Sequence, residues 1–164
     1  MTSMTVERLL TAANDTMAKA RYCWAVTVAG DGHANARPMG RLMALPGEDA
    51  WSVWFMTRRT SRKAIEIGRT GHLTVIFQHD TEEAYVTLIG RAAVVTDRAA
   101  IRARWQQRWN LFFPGGAEDE NVAFLRTETE RIELWAHGVS PEPFGTRAAI
   151  MERDHAGQWH EVDS

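Results

Sequence analysis

The chain has 164 residues, 45% of them apolar and 24% charged, with a formal net charge of −2. That is the make-up of an ordinary globule with room for one sizeable core, and it excludes a disordered chain. It also excludes a general nucleic-acid binder, which needs a dominant basic field. A single cysteine, Cys23, rules out an intrachain disulfide and fits a reducing compartment. No run approaches the ~18 apolar residues of a membrane span, and the N-terminus has no apolar signal core. One cytoplasmic domain over residues 1–164 is expected, with no membrane or nucleic-acid partner.

In chain order, Val6, Leu9, Leu10, Ala13, Met17 and Ala20 recur at helical spacing, which predicts an amphipathic helix over residues 5–20 with Thr5 as its cap. Tyr22 to Ala29 reads as a strand, with Cys23 buried in it as an inert thiol. Gly30-Asp31-Gly32 turns the chain into a return strand from about His33 to Leu45, interrupted by Pro38. Proline cannot donate to a ladder, so Pro38 marks an edge, a bulge or backbone facing something other than a strand. A further strand, Trp51 to Thr57, ends in four cations within six residues: Arg58, Arg59, Arg62 and Lys63. Thr60 and Ser61 lie among them as candidate caps for a short helix at about 61–69.

Strands follow from His72 to His79 and from Ala84 to Thr96, the second with Gly90 at its centre. Asp97 caps a second helix, in which Ile101, Trp105 and Trp109 fall on one face. LFFPGG breaks that helix, and Glu118 to Leu125 reads as a short acidic helix or turn. Thr127 to Trp135 alternates as another strand, and residues 146–153 and 157–162 form a terminal hairpin. Strands joined by short connections predict an antiparallel meander or barrel, mainly β within the α+β class.

The six histidines show no metal-ligand spacing, and no nucleophile elbow or G-x-G-x-x-G run is present. No metal is expected, and no catalytic residue can be named. The acidic pairs read as solvent-facing. The strand-to-helix junction stands out, because free first-turn N–H groups, the positive end of the helix dipole and nearby Arg and Lys make an anion site. On local grounds alone a solvated basic turn is the better explanation. Seven tryptophans point to large flat contacts in a core, at a subunit interface or against a ring ligand.

Taken together, Phe55-Met56-Thr57 followed by Ser61-Arg62-Lys63, Arg37-Pro38-Met39, and Ile132 to Trp135 resemble the FMN-binding split β-barrels related to pyridoxamine 5′-phosphate oxidase. Asp97 with its helix and WNLFFPGG are similar to the general stress protein 26-like branch. The resemblance implies an antiparallel, Greek-key-like barrel of six to eight strands with flanking helices. It implies FMN as cofactor and a homodimer with the flavin sites at its interface. By the same resemblance Ser61, Arg62 and Lys63 hold the phosphate, while Phe55, Met56 and Thr57 lie along the flavin. Arg37, Pro38 and Met39 run past the ring, and Trp135 reaches the flavin of the second subunit. Tyr85 stands where the oxidases carry a flavin-contacting glutamine, and their substrate cluster and Arg-Leu-His motif have no counterpart. The implied function is therefore a flavin-dependent oxidoreductase whose small-molecule substrate is not pyridoxamine phosphate. The alternatives are a reductase of the same fold using the deazaflavin F420 and a non-catalytic flavin-binding stress protein.

Overall fold

The structure is a computed structural model and describes residues 4–163. Helix α1 (Met4–Lys19) buries Val6, Leu9, Ala13 and Met17 along one stripe. Thr5, the expected cap, already lies within the helix. Strands β1 (Cys23–Val28) and β2 (Ala34–Met39) form a hairpin around Gly32, whose φ of 87° needs a residue without a Cβ. The return strand stops at Met39, short of Leu45. From there residues 40–53 leave the sheet as a loop.

That loop leads into β3 (Trp54–Arg58), α2 (Arg62–Thr70) and β4 (His72–His79). The chain continues through β5 (Ala84–Val95), α3 (Arg98–Arg104) and β6 (Val122–Trp135) to the hairpin of β7 (Ala149–Arg153) and β8 (Trp159–Val162). The eight strands form one sheet in the order β2-β1-β4-β5-β6-β7-β8, with β3 joined to β6. Every described pairing is antiparallel, and the sheet does not close on itself. β6 is long enough to pair with β3 through Val122 to Arg126 and with β7 further on.

Gly90 is what allows β5 and β6 to run together for their full length. The register shifts between Ile89 and Gly90, and a Cβ on Gly90 would lie 2.1 Å from the Glu128 carbonyl oxygen. Any other residue would push β6 away at the bulge.

The core has two parts. The larger fills the inner face of the sheet under α1 and α2 with Ala25, Val75, Phe77, Val86, Leu88, Ile132 and Leu134, among others. The alternating burial of β4 and β5 puts these side chains on one face, and each large one contributes about 1.5–3 kcal/mol. The smaller is aromatic: Trp54, Trp109, Phe113 and Phe124 with Ile101 and Val122. Trp109 meets Phe124 and Trp105 edge to face, at centroid distances of 6.1 and 5.5 Å.

Two expectations fail in this smaller region. Trp105 and Trp109 do not share a helix with Ile101, because α3 ends at Arg104 and Trp105 is extended, with φ −59° and ψ 133°. A short 3-10 turn over Gln107–Leu111 follows. The helix stops where the buried Arg104 side chain turns to the loop, donating to the Met43 carbonyl, pairing with Glu48 and stacking 3.9 Å over the Trp54 ring. The short acidic helix or turn expected over 118–125 is a turn only as far as Asn121, following a single 3-10 turn at Gly116–Glu118, and β6 begins at Val122. Arg98 fixes this junction, donating to the carbonyls of Ala117, Asp119 and Val122 at 2.9–3.0 Å.

Candidate functional site

Thr57 and Arg58 end β3, and Ser61 starts α2 as its N-cap. Its Oγ accepts the Ala64 N–H at 3.3 Å and shares a hydrogen bond with Thr57 Oγ1 at 2.9 Å. Thr60, the other candidate cap, stays exposed. With Ser61 holding the Ala64 N–H, the backbone N–H groups of Arg62 and Lys63 in the first turn have no intrahelical acceptor. The helix therefore opens on free donors with a cation attached to each.

The other wall is β2, the edge strand of the sheet. The Ala29 N–H donates to His33, so by alternation Asn35, Arg37 and Met39 direct their backbone groups to β1, and Ala36 and Pro38 direct theirs outward. Pro38 thus occupies an edge position whose missing N–H breaks no ladder bond. Between this edge and β3 lies a cleft of about 400 Å³, with Arg37, Pro38, Met39, Met56, Lys63 and Trp109 among its walls. A second hollow of about 520 Å³ continues along Thr57 and Arg58. Met56, Lys63 and Phe112 line both.

The cations in this region divide by what they already hold. The Arg37 guanidinium donates to the Ala25 carbonyl at 3.2 Å and to Thr27 Oγ1 at 2.7 Å, and lies 3.8 Å from the Glu66 carboxylate. Glu66 is itself buried, accepts from the Thr27 hydroxyl, and takes the Asn35 amide at 2.8 Å. The Thr27 hydroxyl first, then Asn35, Arg37 and Arg62, hold its carboxyl below the usual glutamate range. Arg41 donates to Met17 at 3.1 Å and stands over the Phe77 ring. Arg58 lies over Phe113, 5.0 Å from its centroid. Lys63 has no ion-pair partner among the described residues, while Arg62 only approaches Glu66, at 3.9 Å, and is 70% exposed. Burial, followed by the nearby Arg37 and Arg62 charges, pushes the Lys63 ammonium below the ordinary lysine value. A half-buried lysine among like charges with no acid beside it is relieved by an anion.

The cleft thus brings together Arg37, Pro38, Met39, Met56 and Lys63, with Thr57 and Ser61 at its end and Arg62 beside it. Phe55 is fully buried in the larger core, so its side chain is out of reach of any ligand there. Trp135 lies at the end of β6 remote from β3, paired with Tyr85 on the outer face of the sheet. Cys23 is buried against the Met39 carbonyl, and burial pushes its thiol up to about 12. Glu66 and Arg108 are absent from the sequence reading. Glu66 looks there like one polar residue of a short helix, and Arg108 like one of many surface cations.

A family model described as pyridoxamine 5′-phosphate oxidase like matches residues 10–152. No curated protein matches the chain. Among solved structures, a protein related to general stress protein 26 of Bacillus subtilis, from Clostridium acetobutylicum, superposes with a TM-score of 0.68 at 22% identity, covering 80% of this chain and 90% of its own. A pyridoxamine 5′-phosphate oxidase-related, FMN-binding protein from Nostoc punctiforme gives 0.65 at 14% identity, over 99% and 98%. General stress protein 26 from Bacillus anthracis gives 0.62 at 18%, over 77% and 93%. At these identities the likeness establishes the split-barrel fold.

Proposed function

The chain belongs to the pyridoxamine 5′-phosphate oxidase-like family, and from that premise we propose that it binds FMN and acts as a flavin-dependent oxidoreductase. The observation that carries this reading is the half-buried Lys63 at the start of α2, with no ion-pair partner among the described residues, opening onto a cleft beside the sheet edge β2. The residues fit the cofactor. Lys63, Arg62 and the first-turn N–H groups of α2 offer charge-assisted hydrogen bonds to a phosphate, and Ser61 fixes that turn. The outward backbone groups of Ala36 and Pro38 suit the polar edge of a ring, and Met39, Met56 and Trp109 its apolar body. When bound, FMN supplies the redox chemistry. The protein's part is to hold the phosphate, orient the ring and exclude water. The Nostoc structure, described as an FMN-binding protein, supports the assignment.

The site is completed by a second copy of the chain. On the outer face of the sheet, opposite the core, Trp24 and Val28 are 43% and 44% exposed, and Val26, Ile76, Tyr85, Ile89 and Trp135 are half-buried. Covering that apolar face in a homodimer would carry Trp135 toward the partner's cleft. Among the described residues no helix is long and apolar enough to cross a membrane. The lone cysteine, a buried free thiol, suits a reducing compartment, and on that ground we place the protein in the cytoplasm.

The test is reconstitution. Purified protein is expected to be yellow or to take up added FMN, with the perturbed visible spectrum of a bound flavin. Colourless protein that ignores FMN contradicts the proposal, and uptake of F420 in its place redirects it to the deazaflavin reading. A nicotinamide-driven turnover assay then separates an enzyme from a flavin-binding stress protein.

A further inference from the structure

The cleft has a wall that the cofactor assignment leaves unused. Lining the cleft together with Lys63 are Gln106, Arg108 and Phe112, carried by the segment between α3 and β6. This segment is anchored: Trp109 is buried in the aromatic core, and the Trp109 and Phe112 N–H groups donate to Gln106 and Trp109, each at 2.9 Å. Arg108 lines the cleft with no hydrogen bond, ion pair or ring partner among the described residues. Gln106 precedes the turn without a side-chain capping bond. The cleft is lined by four cations, Arg37, Arg41, Lys63 and Arg108, and by no carboxylate, in a chain whose formal charge is −2. Such a local positive field concentrates anions. Arg37 is held by Ala25, Thr27 and Glu66, Arg41 by the Met17 carbonyl and the Phe77 ring, and Lys63 is taken by the phosphate. Arg108 is left over.

We propose that Arg108, with the Gln106 amide beside it, is a substrate-anchoring subsite for a small planar molecule that carries one anionic group. Its planar guanidinium matches a carboxylate or phosphate fork. The body of that molecule lies on the apolar surface of Met43 and Phe112. Phe112 is 59% exposed and Met43 77%, and both line the cleft, which suits surfaces that a ligand covers. The anion at Arg108 fixes which end of the substrate points toward the cofactor ring. This inference rests on the FMN reading for the identity of that ring, but Arg108 itself can be tested without it.

The experiment is calorimetric titration of the full chain with benzoate and with its neutral isostere benzamide. It is run on FMN-saturated protein, where Lys63 is occupied, and on the Lys63→Ala variant without FMN. Benzoate is expected to bind about tenfold tighter than benzamide in both. Arg108→Gln should bring the two ligands within about twofold, Arg108→Lys should restore part of the preference, and FMN affinity should not change in either. Arg108 is exposed, so the variants fold. A preference that survives Arg108→Gln, or no preference in the unmodified cleft, overturns the subsite. Weaker FMN binding in Arg108→Gln also overturns it, by assigning the guanidinium to the cofactor. If FMN does not bind but the Arg108-dependent preference persists, the cofactor reading fails and the subsite stands.

Discussion

Arg37 and Lys63 face one cleft, yet Arg37 has its donors on Ala25, Thr27 and beside Glu66, whereas Lys63 has no counter-charge among the described residues. The same contrast separates Arg104, buried and paired with Glu48, from Arg108 four residues further on. In each pair one cation is structural and its neighbour is available. Being positive and near the cleft does not make a residue a ligand contact; having unspent donors does. Mutations of the first group should therefore cost stability, and mutations of the second should cost affinity.

The sharpest break is Arg104→Ala. Its side chain is 3% exposed, fastens the 40–53 loop through Met43 and Glu48, and stacks on Trp54. Removing one partner of a buried pair costs about 3 kcal/mol, read by denaturant unfolding. The loop carries Leu42 and Met43 into the cleft, so FMN affinity should fall as well. An Arg104 variant of unchanged stability would erase the division between the two groups.

Glu66→Gln comes next, at about 2 kcal/mol, because Arg37 keeps its charge and loses its counter-charge. The pH dependence has a definite sign. The folded-state value of Glu66 lies below the ordinary one, so its contribution is present above the ordinary carboxylate range and is lost as pH falls through the folded value. The Gln variant should unfold less steeply on acidification than the parent, and parallel acid-unfolding curves would deny Glu66 that role.

Lys63→Ala and Arg62→Ala are expected to be nearly silent in unfolding, within about 0.5 kcal/mol. Each should lower FMN affinity by about tenfold, as loss of a charge-assisted bond does. Affinity should also fall as pH rises through the lowered Lys63 value, because only the ammonium attracts the phosphate. In Lys63→Ala that pH dependence should flatten.

How much of this the sequence carries depends on whether a residue's role is local. The Ser61 cap, the Asp97 cap and the edge character of Pro38 are read from a few neighbouring residues, and the structure has all three. The start of β6 is not local. Val122 to Leu125 are buried on both faces, Val122 and Phe124 in the smaller core with Ile101 of α3 and Leu125 in the larger, while the adjoining Glu118-Asp119-Glu120 suggests a solvated turn. Trp105 obeys helical spacing, but Arg104 ends the helix by turning to a loop that lies far back in the chain. Glu66 falls in the same class: its burial is decided by Thr27 and Asn35 across two strands. The Arg62–Lys63 pair stands out in the chain, whereas the vacancy around Arg108 depends on which partners the fold withholds.

The measurement that bears most directly on the central claim compares FMN with riboflavin, which differs only in lacking the phosphate. FMN should bind on the order of 100-fold tighter, and in the Arg62→Ala/Lys63→Ala double variant the two should converge. Equal affinity for FMN and riboflavin in the unmodified protein would contradict phosphate recognition at the start of α2.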